Sequence, residues 1–301
     1  METVVNKRIE RSLQREERVS KRAGFWQRYI RHRLALAGLA FFVVMGLAAA
    51  LAPMILPYSP DKMQLTDTGL RPSLRHPLGT DKLGRDELTR LLYGGRVSIT
   101  VGLMAVVMST TIGTLLGTIS GFEGGWIDVI LMRVTDVFLS FPILLLVIVL
   151  MTILKPSATN VIVVIGIFTW TGTARIVRGQ VLSVKNEQFV DAAIAAGART
   201  HRIIIRHILP NVIAPIVVVS TLGVASAMLT EASLSFLGLG IQPPTASWGN
   251  MLTAAQQIQV LAQQPWVWLG PGGAITLTVL SINFMGDGLR DALDPRHDMG
   301  N

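Results

Sequence analysis

The sequence of 301 residues contains no cysteine, and charged residues make up only 15% of it. Without cysteine the chain can form no disulfide, no zinc site with thiolate ligands and no thiol nucleophile. The sequence also has no GxxxxGKS/T segment, the loop with which many proteins bind the phosphates of ATP. These absences exclude thiol chemistry and P-loop ATP hydrolysis for this chain.

Hydrophobic residues are abundant instead, because they account for 50% of the chain and give it a mean hydropathy of +0.50. This composition predicts an all-α polytopic membrane protein. The first apolar run would extend about 34 Å as a helix, against roughly 30 Å for the core of a bilayer. We predict six transmembrane helices, at about residues 34–56, 97–121, 127–153, 161–177, 212–237 and 265–285.

Basic residues give the chain a net charge of +8 and are concentrated at its N-terminus and in loops. Residues 1–33 contain ten of them, and the region around and after the end of span four contains six (Arg175, Arg178, Lys185, Arg199, Arg202 and Arg206). Positive residues favour the cytoplasmic side, so both the N-terminal tail and residues 291–301 are predicted to be cytoplasmic. Membrane topology explains this charge better than a nucleic-acid partner does. One loop departs from the rule: residues 57–96 carry seven basic residues but are predicted to lie outside.

Charged residues inside a membrane span are candidates for function, because charge is costly in a bilayer. In span three, Arg133 and Asp136 are three residues apart and are expected to pair with each other near the interface. Pro142 lies in the same span, where a membrane helix tolerates proline. In span five, we expect Glu231 to tie the helix to a polar group on a neighbouring helix rather than to contact cargo.

The loop before span two contains a candidate metal set of His76, Asp81, Asp86 and Glu87. Their spacing matches no metal-ligand motif, and nearby arginines offer ion-pair partners. We therefore predict a solvated loop here rather than a metal site.

A polar stretch between spans four and five, residues 187–211, predicts two short helices. Apolar residues recur there at three- and four-residue steps until Gly197, which interrupts the pattern as a helix-ending residue does. Thr200 is predicted to cap a second helix. Pro210 should end that helix by forcing the residue before it out of helical geometry.

This stretch resembles the EAA loop of ATP-binding-cassette (ABC) importer permeases. The matching residues are Asp191-Ala192-Ala193, then Gly197, then His207-Ile208-Leu209-Pro210. Asp191 stands where glutamate is usual and His207 where isoleucine is usual, and the second departure resembles the peptide and nickel importer branch. Residues 76–98, 238–252 and 286–296 also resemble segments of oligopeptide and dipeptide permeases.

The resemblance implies a type I ABC importer permease fold over residues 34–290 and a pore-forming subunit that is not an enzyme. The ATPase-coupling residues would be Asp191, Ala192, Ala193, Gly197, Arg202, Arg206, His207, Leu209 and Pro210. The implied partners are a second permease, two ATPase subunits that carry ATP and Mg²⁺, an extracytoplasmic binding protein, a peptide substrate and the lipid bilayer. The chain itself would hold no cofactor or metal. Its location would be a bacterial or archaeal inner membrane.

Two other functions stay open at this point. A permease for nickel or a metal chelate would share the same motifs. An ion-coupled carrier would use Asp136 and Glu231 as titrating carboxylates, but it would not need a long, helical, basic loop. An intramembrane serine protease is excluded, because all five histidines fall outside the predicted spans and leave no base for a buried serine.

Overall fold

The computed structural model of the chain describes residues 26–293. Most of the predicted basic tail and residues 294–301 of the predicted C-terminal tail lie outside the described residues. Within residues 26–293 the regular structure is helical, and the one β-type contact is an isolated bridge between Thr80 and Asp86. A short helical segment, residues 26–31, precedes the first long helix.

Ten helices follow in chain order, and short 3-10 turns lie at Leu65–Asp67 and Leu252–Gln256. They are α1 (Arg33–Ile55), α2 (Glu87–Glu123), α3 (Gly125–Leu139), α4 (Ile143–Ile153), α5 (Ala158–Lys185), α6 (Gln188–Ala195), α7 (Thr200–Phe236), α8 (Trp248–Met251), α9 (Ile258–Gln263) and α10 (Pro265–Leu293). Five of them, α1, α2, α5, α7 and α10, are long and apolar enough to cross a membrane, and α3 with α4 makes a sixth span if the bent pair counts as one. The predicted all-α polytopic fold class is confirmed.

Helices α2 and α5 pack closely along their length through small residues on α2. A Cβ atom added at Gly117 would lie 2.5 Å from the carbonyl oxygen of Ala174, and one at Gly113 would lie 2.7 Å from the carbonyl oxygen of Trp170. Real Cβ atoms do not approach this closely, so only glycine permits this packing. The glycine, serine and threonine residues of span two therefore place α2 inside the bundle, as predicted.

Helix α2 begins at Glu87, ten residues before the predicted start of span two. Asp86 caps its first turn, because the Oδ1 atom accepts the backbone N–H of Thr89 at 2.7 Å. Helix α5 likewise continues to Lys185, eight residues beyond the predicted span. An apolar run in the sequence marks only the part of a helix that lies in the bilayer. The polar turns that extend the same helix beyond the bilayer carry no such signal.

The predicted span three is broken into two helices. Helix α3 ends at Leu139, Pro142 directly precedes α4, and the two axes differ in direction by 79°. Proline supplies no N–H and disfavours helical geometry in the residue before it. The expectation of a continuous helix through Pro142 is therefore wrong.

Residues 57–86 and 238–264 fold together over one end of the bundle, and we call them the cap. Trp248 is fully buried at its centre, donates its Nε1–H to the carbonyl oxygen of Leu91 at 2.8 Å, and lies against Gly95. His76 is 2% exposed and its Nδ1 atom lies 2.8 Å from the Oδ2 atom of Asp86. The predicted solvated loop is therefore wrong for the part that holds His76, Asp81, Asp86 and Glu87, which are all buried, whereas residues 57–75 are exposed or half-buried.

Ion pairs in the cap account for part of its basic charge. Arg85 contacts the carboxylate of Asp81 at 2.6 Å, and Arg75 approaches that of Asp67 at 3.8 Å. These ion pairs involve two of the seven basic residues of the predicted outer loop.

Candidate functional site

The candidate site is a helix pair made of α6 and the first turns of α7, at the end of the bundle opposite the cap. One side of the pair is apolar and packs on α5. Val190 of α6 and Ile208 of α7 are both fully buried in a cluster with Val181. The complete buried cluster is Val177, Val181, Val190, Ile203, Ile208, Val212 and Ile216. This packing attaches the helix pair to α5.

The turn between the two helices depends on Gly197. Its φ angle is +74°, a left-handed conformation that glycine adopts without strain. The N–H of Gly197 donates to the carbonyl of Ile194 at 2.9 Å, and that of Ala198 donates to the carbonyl of Ala193 at 3.1 Å. These two bonds form a Schellman motif, which satisfies carbonyls at the end of α6. The expected helix-ending role of Gly197 is confirmed.

The second helix starts as predicted near Thr200 but does so without a side-chain cap. Thr200 is the first helical residue, and Arg199 occupies the capping position with no side-chain hydrogen bond. The expectation that Thr200 caps the helix is therefore wrong by one position. Arg199 has no oxygen on its side chain to accept an N–H, so this helix start lacks the usual cap.

Pro210 does not end the second helix. Leu209 keeps helical angles of φ −53° and ψ −43°, and α7 continues from Thr200 to Phe236. A π turn at Ile204–Ile208 precedes the proline, and the N–H of Leu209 donates to the carbonyl of Ile204, five residues back. The wider turn accommodates the proline ring, so the predicted stop is wrong. As a consequence, the helix pair is fused directly to a membrane span.

The outward side of the pair combines apolar and basic side chains. Phe189 is 42%, Ile194 is 51% and Ile205 is 64% exposed, and both Arg202 and Arg206 are exposed. Large apolar side chains on a projecting element are typical of a protein interface. The three apolar residues were absent from the predicted site, although their position on an otherwise polar face is a signal for it.

The remaining predicted site residues fall on two sides of the pair. Asp191, Ala192 and Pro210 are exposed, whereas Ala193 and Leu209 are half-buried against α5 and α7. His207 is half-buried, and its ring lies 6.4 Å from the ring of Phe189, centroid to centroid. This contact joins α6 to the start of α7 across the turn.

Ion pairs join α3 to the end of α5. Asp136 contacts Arg175 at 2.5 Å, so the expected pairing of Asp136 with Arg133 is wrong. Arg133 is exposed and forms no ion pair within residues 26–293. A second carboxylate, Asp128, accepts two hydrogen bonds from Arg178, at 2.5 and 2.6 Å. The sequence shows no sign of these pairs, since about forty to fifty residues separate the partners.

Glu231 is fully buried between α7, α2 and the cap. Its two oxygens accept hydrogen bonds from Ser98 at 2.9 Å and from Ser235 at 2.7 Å. Ser98 in turn accepts the backbone N–H of Trp248 at 3.1 Å, and Ser235 accepts that of Ile241 at 3.0 Å. The carboxylate thus joins two spans to the cap, which is the tie expected from the sequence.

A bundle of five or six spans, with a helix pair fused to one of them at one end and a folded cap at the other, defines the chain as a multi-pass membrane protein. Residues 113–298 match the family model of the binding-protein-dependent transport system inner membrane component. Residues 20–73 match the N-terminal transmembrane domain of oligopeptide transport permease C. The chain therefore belongs to the family of inner membrane components of binding-protein-dependent transport systems.

Several relatives are similar over almost the whole chain. A putative peptide permease protein of Brucella suis is 44% identical over 90% of this chain and 90% of its own length. The oligopeptide transport system permease protein OppC of Bacillus subtilis is 42% identical over 93% of each chain. The glutathione transport system permease protein GsiD of Escherichia coli is 42% identical over 90% of this chain and 89% of its own length. The predicted ABC importer permease is confirmed, and an ion-coupled carrier is excluded.

Proposed function

We propose that this chain is the permease subunit of a peptide importer driven by ATP hydrolysis on separate subunits. The observation that carries the proposal is 42–44% identity, over about nine-tenths of the chain, to permeases named for peptides, oligopeptides and glutathione. Peptide is therefore preferred to nickel or a metal chelate as cargo. A dipeptide transport system permease protein, DppC of Bacillus subtilis, is 43% identical over 90% of the chain and supports the same choice.

The helix pair is proposed as the element that an ATPase subunit grips. Exposed Phe189, Ile194 and Ile205 would fill an apolar recess of the ATPase, and Arg202 and Arg206 would contact its acidic rim. Through such an interface, movement of the ATPase subunit would displace the helix pair. The residues that the family resemblance assigns to coupling lie in the same two helices, except Gly197, which lies in the turn between them.

A displacement of the pair would reach the spans by two routes. Helix α7 is continuous from Thr200 to Phe236, so movement at its start rotates or shifts the whole span. The second route runs through α5, on which Val190 packs, and onward to α3 through the bond between Arg178 and Asp128. Rigid-body movement of this kind is a common way to couple a distant chemical step to an opening and closing path.

The proposed assembly contains a second, related permease, two ATPase subunits that bind ATP and Mg²⁺, and an extracytoplasmic binding protein that delivers the peptide. The helix pair and both chain ends would lie on the cytoplasmic side. His32, before α1, approaches Asp291 of α10 at 3.7 Å, which supports a common side for the two ends. The cap would then face the binding protein.

The proposal is tested by reconstituting the chain in proteoliposomes with a second permease, ATPases and a binding protein of a peptide importer. ATP-dependent accumulation of labelled di- and tripeptides is the expected result, and it should vanish when the ATPases or the binding protein are omitted. Labelled nickel, alone and with histidine as a chelator, is measured in parallel. Accumulation of nickel without accumulation of any peptide would overturn the proposal.

A further inference from the structure

A cavity of about 340 Å³ lies between the first turn of α2, the two segments of the cap and the start of α10. Its volume is at the lower end of the range of about 300–1,000 Å³ that holds small-molecule ligands. Charged and polar side chains that line it include Asp81, Arg85, Glu87, Arg90, Asn250 and Gln264. The cavity is at the end of the bundle opposite the helix pair.

Two acceptor atoms at this cavity are buried and have no hydrogen-bond partner among residues 26–293: Oε2 of Glu87 and Oε1 of Gln264. The Glu87 side chain belongs to a residue that is only 3% exposed. A buried carboxylate oxygen without a partner is costly, because burial removes the water that would otherwise solvate it. Such an atom is expected where a ligand supplies the missing donor.

The other two carboxylates near Glu87, those of Asp81 and Asp86, already have hydrogen-bond or ion-pair partners. Asp81 contacts Arg85 at 2.6 Å, and its Oδ1 atom also accepts the backbone N–H groups of Leu83 and Arg85. Asp86 binds His76 and caps α2. Glu87 is therefore the carboxylate of this group that is left for a ligand.

Three cationic side chains also line the cavity: Lys82, which contacts Gln257, Arg85, which contacts Asp81, and Arg90. Arg90 is 3% exposed and donates one hydrogen bond, from Nη1 to the carbonyl of Pro60 at 3.1 Å. A guanidinium carries five N–H donors, so it retains capacity to bind a carboxylate. The cavity thus offers a carboxylate and an amide oxygen for a donor group, and a guanidinium for an acceptor group.

We propose that this cavity binds a short zwitterionic peptide, with Glu87 and Gln264 accepting hydrogen bonds from its terminal ammonium and Arg90 donating to its carboxylate. A primary ammonium supplies three N–H donors and a positive charge, and N–H donors are what these two acceptors lack. The inference rests on the proposed function, because it assumes that peptide reaches this face of the permease. The site would hold cargo at the cap, apart from the binding protein.

The test uses the assembled permease and ATPase complex in lipid nanodiscs, without the binding protein. Equilibrium dialysis with labelled dialanine measures binding, and N-acetyl-dialanine is the comparison ligand that lacks the ammonium. We expect at least tenfold weaker binding of the acetylated compound, and at least tenfold weaker binding of dialanine to the Glu87→Gln complex. The control is Glu123→Gln, which removes an exposed carboxylate at the other end of α2 and should leave binding unchanged.

Three results would overturn the inference: no retention of dialanine by the unmodified complex, equal retention of the acetylated ligand, or full retention by an assembled Glu87→Gln complex. If the Glu87→Gln complex fails to assemble, the comparison of dialanine with N-acetyl-dialanine on the unmodified complex still tests whether the ammonium is recognised. Uptake with the binding protein present is measured on the same complex reconstituted in proteoliposomes. Peptide uptake without retention of dialanine would contradict this binding site alone. Nickel uptake without peptide uptake would contradict the proposed function as a peptide importer.

Discussion

Glu231 of α7 and Ser98 of α2 are joined by a hydrogen bond of 2.9 Å in the interior of the bundle, where Glu231 is fully buried and Ser98 is 1% exposed. The same serine oxygen accepts the backbone N–H of Trp248 in the cap. A single carboxylate therefore fixes the distance between two spans and holds the cap against them. Its place in this network supports the prediction of a structural role rather than contact with cargo.

The first prediction separates these roles with two substitutions of Glu231. Glu231→Gln keeps the size of the side chain and an acceptor oxygen, so uptake should stay close to normal. Glu231→Leu leaves the hydroxyls of Ser98 and Ser235 without their acceptor, at a cost of about 1–3 kcal/mol, and should lower the amount of folded protein in the membrane. Uptake and membrane abundance are measured for both variants. Loss of uptake by the Gln variant at normal abundance would place Glu231 in the translocation path instead.

The second prediction concerns the bond between Asp128 and Arg178. Asp128→Asn should weaken the attachment of α3 to α5 by about 1 kcal/mol or more, because a two-point carboxylate–guanidinium contact is lost. Thermal unfolding in detergent measures the effect. Asp136→Asn is the matched control: its pair with Arg175 is about half exposed, so it should change stability less.

The exchanged pair Asp128→Arg with Arg178→Asp provides a further check on that bond. It should recover part of the stability that Asp128→Arg alone loses, because the opposite charges again face each other. Equal destabilisation by Asp128→Asn and Asp136→Asn would contradict the prediction that the more buried pair dominates.

Local features of the fold could be predicted from the sequence, whereas the effect of each proline could not. Pro142 breaks its span, yet α7 passes through Pro210. The difference lies in packing: Phe141 beside Pro142 is 54% exposed, whereas Ile208 and Val212 on either side of Pro210 are fully buried on α5. Buried neighbours hold the helix together through the proline, and tertiary contacts of this kind are invisible in a single sequence.

In the candidate site, too, local features could be predicted from the sequence, whereas contacts between distant residues could not. The turn at Gly197 was predictable, because its signal is a periodic pattern followed by a glycine. The bond between Asp128 and Arg178 was not, since it joins residues fifty positions apart. Burial of the cap could not be predicted for the same reason, because Trp248 contacts Leu91, which lies 157 positions earlier in the chain.

The third prediction is that this chain does not form a working transporter by itself, because the resembling branch places two different permeases around one path. Reconstitution of the chain with only the ATPases and the binding protein should give no uptake above the background of empty liposomes. Adding the second permease should give uptake. Full uptake without that permease would show that the chain works as a homodimer.

The last prediction concerns Gly197 and its positive φ of 74°. A Cβ atom there would meet no neighbour within 4 Å, so any effect of substitution comes from the backbone conformation and not from crowding. Gly197→Val should destabilise the turn by about 1 kcal/mol or more and displace the start of α7 from α6. Gly197→Asn should be milder, because asparagine tolerates the left-handed region better than β-branched residues do.

Gly179→Val is the matched control, because Gly179 lies inside α5, has equally open surroundings and does not have a positive φ. ATP hydrolysis and peptide uptake are measured for each variant in the reconstituted complex. If the turn positions the helix pair for an ATPase, Gly197→Val should lose assembly or should hydrolyse ATP without transport, whereas Gly179→Val should resemble the unmodified complex. Normal uptake by Gly197→Val would show that the geometry of this turn is not what couples the chain to its ATPases.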